Sequence, residues 1–449
     1  MMAMKRQSLR RTLLAATATA AMLAMAGQAL ADDGASLADE LGQAVTQGTP
    51  SIQVRPRYEV VQQQNKAEAQ AATVQTLVGY STKPLDGFGA TVQFIDVSVL
   101  NSTGNYNVPA WYAQSSHTAL AGNHPRYANI ADPAGDNVNQ AFLSYEGYNT
   151  RLAAGRQIIQ LDDERFVGNV GFRQNMQTFD AVSVVNKSLP DIKVFGAYLW
   201  GLKDIENQEV SQNSYLTEAN WTKFKALQVD AFGYWYGNES DQTYAYLPGA
   251  AGCYITTTPG ACNSATLGGR LHGSFDLPAA VKLAYVGELA HQGSYDGGSG
   301  AIDADYSHGG AKVNWHGFGL AGDYMVMGSN NGLYGFQTPL ATKHAFNGWA
   351  EMFLTTPKEG LRSAYGTATA KVFGVDLLAR YYSFRSDYQN KDLGHEWDLS
   401  ATYPLNQHIN GGVQFAKYHA SNGGFADTST GGGTLANTDA MWAFVTVGF

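Results

Sequence analysis

Ala440-Met441-Trp442-Ala443-Phe444-Val445-Thr446-Val447-Gly448-Phe449 is the stretch that decides the fold. One parity, counted back from Phe449 in steps of two, is entirely apolar, whereas the other mixes glycine, threonine and aromatic residues. A β-strand places alternate side chains on opposite faces, so one face of this stretch suits lipid and the other suits a lumen. A final aromatic residue is typical of outer-membrane β-barrels. An ordinary edge strand is the alternative, which the rest of the chain must exclude.

The first 31 residues have the features of a secretory signal peptide. Four basic residues precede an apolar, alanine-rich run, Leu13–Ala26, and Ala29-Leu30-Ala31 fits the small-x-small cleavage rule. The apolar run is short for a membrane anchor. We therefore expect a signal peptide over residues 1–31, a periplasmic leader (helical or flexible) over 32–50, and a barrel over 51–449.

Composition and charge narrow the class of protein. The chain has 50 Gly, 25 Tyr, 20 Phe and 8 Trp. Without the first 31 residues it has 25 basic against 38 acidic residues, a net charge of about −13, which argues against nucleic acid as a partner. No later stretch is apolar for 18 residues, and no blade-length repeat suggests a propeller. Short alternating segments rich in glycine and aromatics favour a membrane barrel.

Eighteen segments of about ten residues have strand-like alternation, beginning with Ile52–Val61 and ending with Ala440–Phe449. The connections between them alternate between short ones, such as Gly147–Asn149, and long polar ones. The first long ones are Gln62–Thr73 and Val99–Asn137, and Gly201–Asn213 is another. Outer-membrane barrels have short periplasmic turns and longer external loops. The predicted fold is thus an all-β, transmembrane antiparallel barrel of about 18 strands.

Charged residues follow the alternation, with two exceptions. In Ile52–Val61, Arg55, Arg57 and Glu59 share the polar parity. This segregation is expected, because a Lys or Arg facing mid-bilayer lipid costs ~2–4 kcal/mol. Arg156 and Asp180, however, share parity with apolar neighbours. Either the strands bulge there or both residues lie beyond the bilayer.

Those exceptions flank the most distinctive stretch, residues 155–180, which combines Arg156, Arg165 and Arg173 with acids and with apolar residues that require burial. We interpret it as a loop folded into the lumen, because rings of charge are how pores select solutes. A salt-bridge cluster that only fills the barrel is the alternative, and both can hold. The predicted pore-lining or constriction residues are Arg156, Asp162, Asp163, Arg165, Arg173, Arg55, Arg57, Arg151, Arg270, Lys312, Asp376 and Arg380.

The inward charges are mixed in sign, because Asp230, Asp376, Glu396 and Asp398 oppose the basic residues. Several tryptophans, including Trp315, Trp397 and Trp442, fall where an interfacial aromatic girdle is expected.

Two motifs resemble the alginate-export family of outer-membrane barrels. The first is Gly155-Arg156-Gln157…Asp162-Asp163-x-Arg165-Phe166-Val167-Gly168…Arg173-Gln174-Asn175…Thr178-Phe179-Asp180. The second is Phe346–Pro357 with Gly394-His395-Glu396-Trp397-Asp398 downstream. The resemblance implies an eighteen-stranded monomeric porin. That family's best-known member exports an anionic polysaccharide through a strongly basic lumen, whereas this chain has a mixed one.

Three functions follow. The first is a passive outer-membrane channel for small hydrophilic or charged solutes, and the second is export of an acidic, alginate-like exopolysaccharide. The third, a barrel enzyme, needs a nucleophile and a base, but the histidines are scattered and form no recognisable motif. We expect no enzyme activity and no cofactor. The expected partners are outer-membrane lipid, lipopolysaccharide and, through Phe449, the barrel-assembly machinery of a Gram-negative bacterium.

Cys253 and Cys262 lie eight residues apart in a Gly/Thr/Pro-rich segment. In a secreted loop, such a pair most simply forms a local disulfide. A metal site would need further ligands nearby, and none is present.

Overall fold

The structure, a computed structural model, describes residues 37–100, 105–108, 124, 126–239, 260–421 and 435–449. A helix, α1, spans Leu37–Thr46. The strands are β1 Thr49–Gln63, β2 Ala69–Ser81, β3 Phe88–Val99, β4 Gly135–Gly147, β5 Thr150–Gln157, β6 Thr178–Asn186, β7 Ile192–Lys203, β8 Glu209–Phe224, β9 Leu227–Tyr236, β10 Ser264–Leu277, β11 Val281–Ser294, β12 Asp303–Trp315, β13 Phe318–Met327, β14 Leu361–Val372, β15 Val375–Arg385, β16 Asp392–Pro404, β17 Ile409–His419 and β18 Thr438–Gly448.

These strands form one closed antiparallel sheet in which each strand pairs with its sequence neighbours. Closure comes from β1, which pairs with β2 on one side and with β18 on the other. Ile52 and Phe449 exchange backbone hydrogen bonds of 3.1 and 2.9 Å at this seam. The predicted all-β barrel of eighteen strands is therefore confirmed, and the quoted segment is its closing strand.

Alternation along each strand separates an apolar exterior from a polar interior. On β1, Ile52 and Tyr58 are exposed on the outside, whereas Arg57 and Glu59 are buried inside. On β18, Met441 and Val445 face outward, but Trp442 is only 1% exposed. Trp442 thus belongs to the barrel interior and not to the predicted aromatic girdle, while Trp315 and Trp397 are exposed.

The connections depart from strict short–long alternation in two places. The β1–β2 connection covers residues 64–68 and the β7–β8 connection covers residues 204–208, where the sequence predicts long loops. Both shorten mainly because the following strand starts five residues earlier than its apolar pattern does, at Ala69 and at Glu209. Polar residues can extend a strand where it rises beyond lipid, since only the ladder hydrogen bonds must be kept.

Three long connections on the external side contribute residues to the interior of the barrel. They are the β3–β4 loop, residues 100–134; the β5–β6 loop, residues 158–177; and the β13–β14 loop, residues 328–360. The β5–β6 and β13–β14 loops contact each other directly. Gly168 donates its N–H to the Leu340 carbonyl at 2.9 Å, and Thr342 donates its hydroxyl to Glu164 at 2.6 Å. None of the helices in the described residues has the length and hydropathy needed to cross a bilayer.

Candidate functional site: the barrel lumen

The β5–β6 loop crosses the lumen and is tied to the wall by arginines of β1. Arg55 donates to the carbonyl oxygen of Gly171 at 2.8 Å and to the side-chain oxygen of Gln174 at 3.0 Å. Arg57 donates to the carbonyl of Phe172. A loop inside a barrel must satisfy its backbone groups without a sheet partner, and here arginine side chains provide the donors.

A buried ion-pair cluster lies at the same point, made of Arg57, Glu59, Asp132, Arg173 and Glu351. It joins β1 to all three inward loops. Arg57 contacts Glu59 and lies 2.7 Å from Asp132, while Arg173 lies 3.2 Å from Glu59 and also contacts Glu351. The side chains of the first four are at most 3% exposed. Two arginines face three carboxylates, so the charges of the cluster nearly cancel.

The protonation of the loop members follows from this pairing. Burial opposes the charge on Arg173, but Glu351 and Glu59 outweigh it and raise the pKa of Arg173 above its usual value. Burial alone would raise the pKa of Glu351, but Arg173 and a hydrogen bond from His344 hold it at about 2. Both groups are therefore ionised at neutral pH.

Arg165 has a different environment: it is packed among aromatic rings and is only 1% exposed. Its guanidinium lies 5.6 Å from the ring centre of Tyr306 and 5.2 Å from that of Phe346. The next residue, Phe166, packs against Phe232 of β9 at 4.9 Å and against Tyr306 of β12 at 5.2 Å. This aromatic contact anchors the loop to the wall opposite β1, so the loop divides the lumen.

A second charged group, the tip cluster, is partly exposed to water: Asp162 and Asp163 are exposed, whereas Asn220 and Asp230 are buried. It consists of Asp162, Asp163, Asn220, Asp230 and Arg270. Asp163 lies 3.1 Å from Arg270 of β10, with side chains 33% and 15% exposed. Asn220 of β8 donates to Asp162 at 3.3 Å and to Asp230 at 2.8 Å.

Asp162 contacts water, yet the surrounding barrel raises its pKa to about 7 by partial burial and by the nearby charges of Glu218 and Asp230. The tip cluster can therefore change its charge near neutral pH, and it borders an aqueous space.

The remaining predicted lumen residues are divided between the two ends of the barrel. Arg151 and Asp376 lie beside periplasmic turns in exposed pairs with Glu146 and Lys371. Lys312 of β12 is exposed and has inward parity, with no ion pair among the described residues. Arg380 of β15 donates to the Ala345 carbonyl at 3.2 Å and so holds the β13–β14 loop.

Four predicted lining residues need correction. Arg57 and Arg165 are buried because the loops fill the lumen at their level, and Arg173 is also buried and borders only an external cavity. Arg156 lies directly opposite Asp180 on the outer parity of β5 and β6, in a two-bond pair of 2.8 and 2.9 Å, and it also binds Glu209 at 2.7 Å. That neutralisation explains both parity exceptions, and the ladder of β6 and β7 shifts register beside Asp180.

Sequence reasoning missed three members of the ion-pair cluster as site residues. Glu59 has inward parity on the first strand, and Glu351 lies in the second motif, so each carried a signal. Asp132 lies in a long polar loop, and no local pattern marks it.

Above the ion-pair cluster, an external cavity of about 660 Å³ opens between the loops. Its lining includes Arg173, His344, Trp349, Glu351 and Lys66. His344 is stacked on Phe172 with 3.5 Å between ring centres. The cavity is the external approach to the constricted level.

Cys262 is disulfide-bonded, while Cys253 lies outside the described residues. No group of three or more metal-binding side chains occurs in the described part of the chain.

A closed eighteen-stranded barrel with inward loops is the architecture of outer-membrane porins. Among solved structures, the fold is similar to Pseudomonas aeruginosa OpdK with vanillate, with a TM-score of 0.65 at 12% identity, covering 90% of this chain and 99% of that one. It is also similar to Acinetobacter baumannii OccAB2, with a TM-score of 0.64 at 13% identity, covering 91% and 100%, and to P. aeruginosa OpdL, with a TM-score of 0.62 at 12% identity, covering 90% and 99%.

No protein-family model and no curated protein matches the chain. These likenesses show the barrel fold of outer-membrane porins, and they give no support to the alginate-export resemblance.

Proposed function

We propose that this chain is a channel in the outer membrane of a Gram-negative bacterium that passes small hydrophilic or charged solutes. The observation that carries the proposal is the division of the lumen by the β5–β6 loop. One side of the loop is sealed by the ion-pair cluster, and the other leaves Asp163 and Arg270 in contact with water. A constricted aqueous passage lined by both signs of charge suits small solutes better than polymers.

Export of an acidic polysaccharide is the weaker candidate. It requires a continuous basic path, but Arg57 and Arg173 are already paired with carboxylates and Arg165 is enclosed by aromatic rings. The loop anchors would also have to be broken to admit a chain. OpdK is described with vanillate, so a small aromatic carboxylate is a reasonable test solute here.

The proposal extends to the surroundings of the barrel. The apolar exterior is expected to contact lipid and lipopolysaccharide. Phe449 stays a predicted recognition signal for the barrel-assembly machinery. We propose a transport role without catalysis.

The first test is single-channel conductance and reversal potential in a planar bilayer under a salt gradient. We expect discrete conductance steps from refolded barrels. Liposome swelling then separates the candidates: glucose, arginine and vanillate should enter, and an acidic oligosaccharide should be excluded. Rapid entry of the oligosaccharide would favour the exporter. Absence of conductance from a barrel with the correct β-sheet circular dichroism would contradict the proposed function.

A further inference from the structure

Two distant stretches of sequence meet inside the barrel. Glu396 lies on β16 and accepts the backbone N–H of Ala350, in the β13–β14 loop, at 2.8 Å. Asp398 lies two residues further along β16 on the same face. Both side chains are completely buried, at 0% exposure. One carboxylate therefore holds the loop backbone, and a second carboxylate lies beside it.

The pair has few donors. One oxygen of Glu396 and both oxygens of Asp398 accept no well-formed hydrogen bond in the described part of the chain. The backbone N–H of Trp349 lies beside both carboxyl groups, which are also within hydrogen-bonding reach of each other. A buried carboxylate that accepts nothing is costly, because its desolvation is not repaid.

The charged and titratable groups that face the pair do not supply the missing hydrogen. Arg380 lies opposite Asp398 on β15, but its hydrogen bonds go to Thr367, Ala345 and Tyr382. Tyr382 and Tyr418 flank Glu396 from β15 and β17, and the Tyr418 hydroxyl donates to the carbonyl of Leu393. From the loop, Glu351 follows Ala350 and is already paired with Arg173 and His344.

We propose that Glu396 and Asp398 share one proton, and that this proton keeps the β13–β14 loop seated in the lumen. Two adjacent carboxyl groups without water cannot both ionise cheaply, so one retains its proton and donates it to the other. The shared proton joins one oxygen of each side chain and leaves the other Glu396 oxygen free to accept the N–H of Ala350.

Loss of the proton should also affect the constricted level, because Ala350, which Glu396 holds, is followed directly by Glu351. Two full negative charges would then repel each other, and Glu396 would leave Ala350. The following residue, Glu351, is the partner of Arg173 on the β5–β6 loop. The position of Glu396 is tightly defined, because Gly348 has φ +88° and a Cβ there would lie 2.6 Å from the Glu396 carboxylate. We therefore expect deprotonation to loosen both loops.

The experiment has two readouts, of which only the second depends on the proposed channel function. Infrared spectroscopy detects a protonated carboxyl by its C=O stretch, and we expect a band in the wild type at neutral pH that Glu396→Gln removes. Channel current is then recorded from neutral to alkaline pH. We expect the wild type to change to a noisier, higher-conductance state as the proton leaves.

Glu396→Gln and Asp398→Asn each place an amide where the proton would be, so we expect either variant to abolish the alkaline transition. Gly348→Ala, which crowds Glu396, should show the loosened state already at neutral pH. Asp376→Asn, at an exposed pair with Lys371, is the matched control and should keep the transition.

An alkaline transition retained in both amide variants, or a carboxyl band unchanged in them, would overturn the shared proton. If the barrel does not conduct but the band is present and lost in Glu396→Gln, the proposed function fails and the shared proton stands.

Discussion

Asp163 and Arg173 lie on the same loop and form ion pairs of nearly equal length, yet their environments are opposite. The Asp163–Arg270 pair, at 3.1 Å, has side chains 33% and 15% exposed, whereas the Arg173–Glu59 pair, at 3.2 Å, has side chains 3% and 2% exposed. The two ion pairs therefore have nearly the same length and differ in their exposure to water. Solutes can sense only charges that contact the aqueous passage, and folding energetics respond most strongly to charges that do not.

The largest expected effect comes from removing an arginine of the buried ion-pair cluster. Arg173→Met would leave Arg57 to face the buried carboxylates of Glu59 and Asp132 and the half-buried carboxylate of Glu351. Removing one partner of a buried ion pair typically costs about 3–5 kcal/mol. We expect a loss of that size in guanidinium unfolding of the micelle-embedded barrel, with faster proteolysis of the β5–β6 loop. A loss below about 1 kcal/mol would show that water reaches the cluster.

The exposed carboxylates of the tip cluster should instead control ion selectivity. Asp162→Asn with Asp163→Asn removes two carboxylates from the passage and leaves Arg270 unpaired. We expect the reversal potential in a salt gradient to move toward anion preference, with a stability change under about 1 kcal/mol because the pair is solvated. A shifted reversal potential in Arg173→Met, with no shift in this double variant, would show that the buried charges and not the exposed ones set selectivity.

A smaller effect should follow pH. Because the pKa of Asp162 is raised to about 7, its charge appears as pH rises through neutrality, and cation preference should increase from about pH 6 to pH 8. The same raised pKa means that its contribution to stability falls as pH rises from about 4 toward 7, since the folded state holds the proton more tightly. Reversal potentials measured across this range should lose the step in Asp162→Asn.

The smallest effect is expected at the periplasmic end. Arg151→Gln removes an exposed pair with Glu146, whose side chains are 49% and 67% exposed. Such pairs contribute about 0–1 kcal/mol, so unfolding should hardly change. This variant is the exposed control for Arg173→Met, and a loss as large as that of the buried variant would remove the contrast between the two environments.

The barrel itself could be predicted from sequence, because alternation is a local signal repeated eighteen times. The extension of β2 over residues 69–73 was not predicted, since strand ends beyond lipid have no apolar pattern. The lumen was less predictable. Parity correctly turned Arg57 inward, but it cannot show that a loop seals the lumen at that level.

The burial of Arg57 and Arg173 depends on ion pairs with Asp132 and Glu351, which lie far away in sequence. Contacts among three loops are set by tertiary packing and not by any period. For Arg156, the sequence correctly showed the outer parity. The structure adds its partners Asp180 and Glu209, which explain how a charge is accommodated there.

The seam between β1 and β18 has a consequence for the order of assembly. The inward loops rest on residues from both strands of that seam: Glu59 of β1 binds Arg173, and Trp442 of β18 packs against Phe172 with 5.5 Å between ring centres. Contacts between such distant parts of the chain form late, because loop-closure entropy must be overcome first. The loops therefore cannot seat until the sheet has closed. An assembly intermediate without the β1–β18 seam would therefore lack the contacts that hold the inward loops in the lumen.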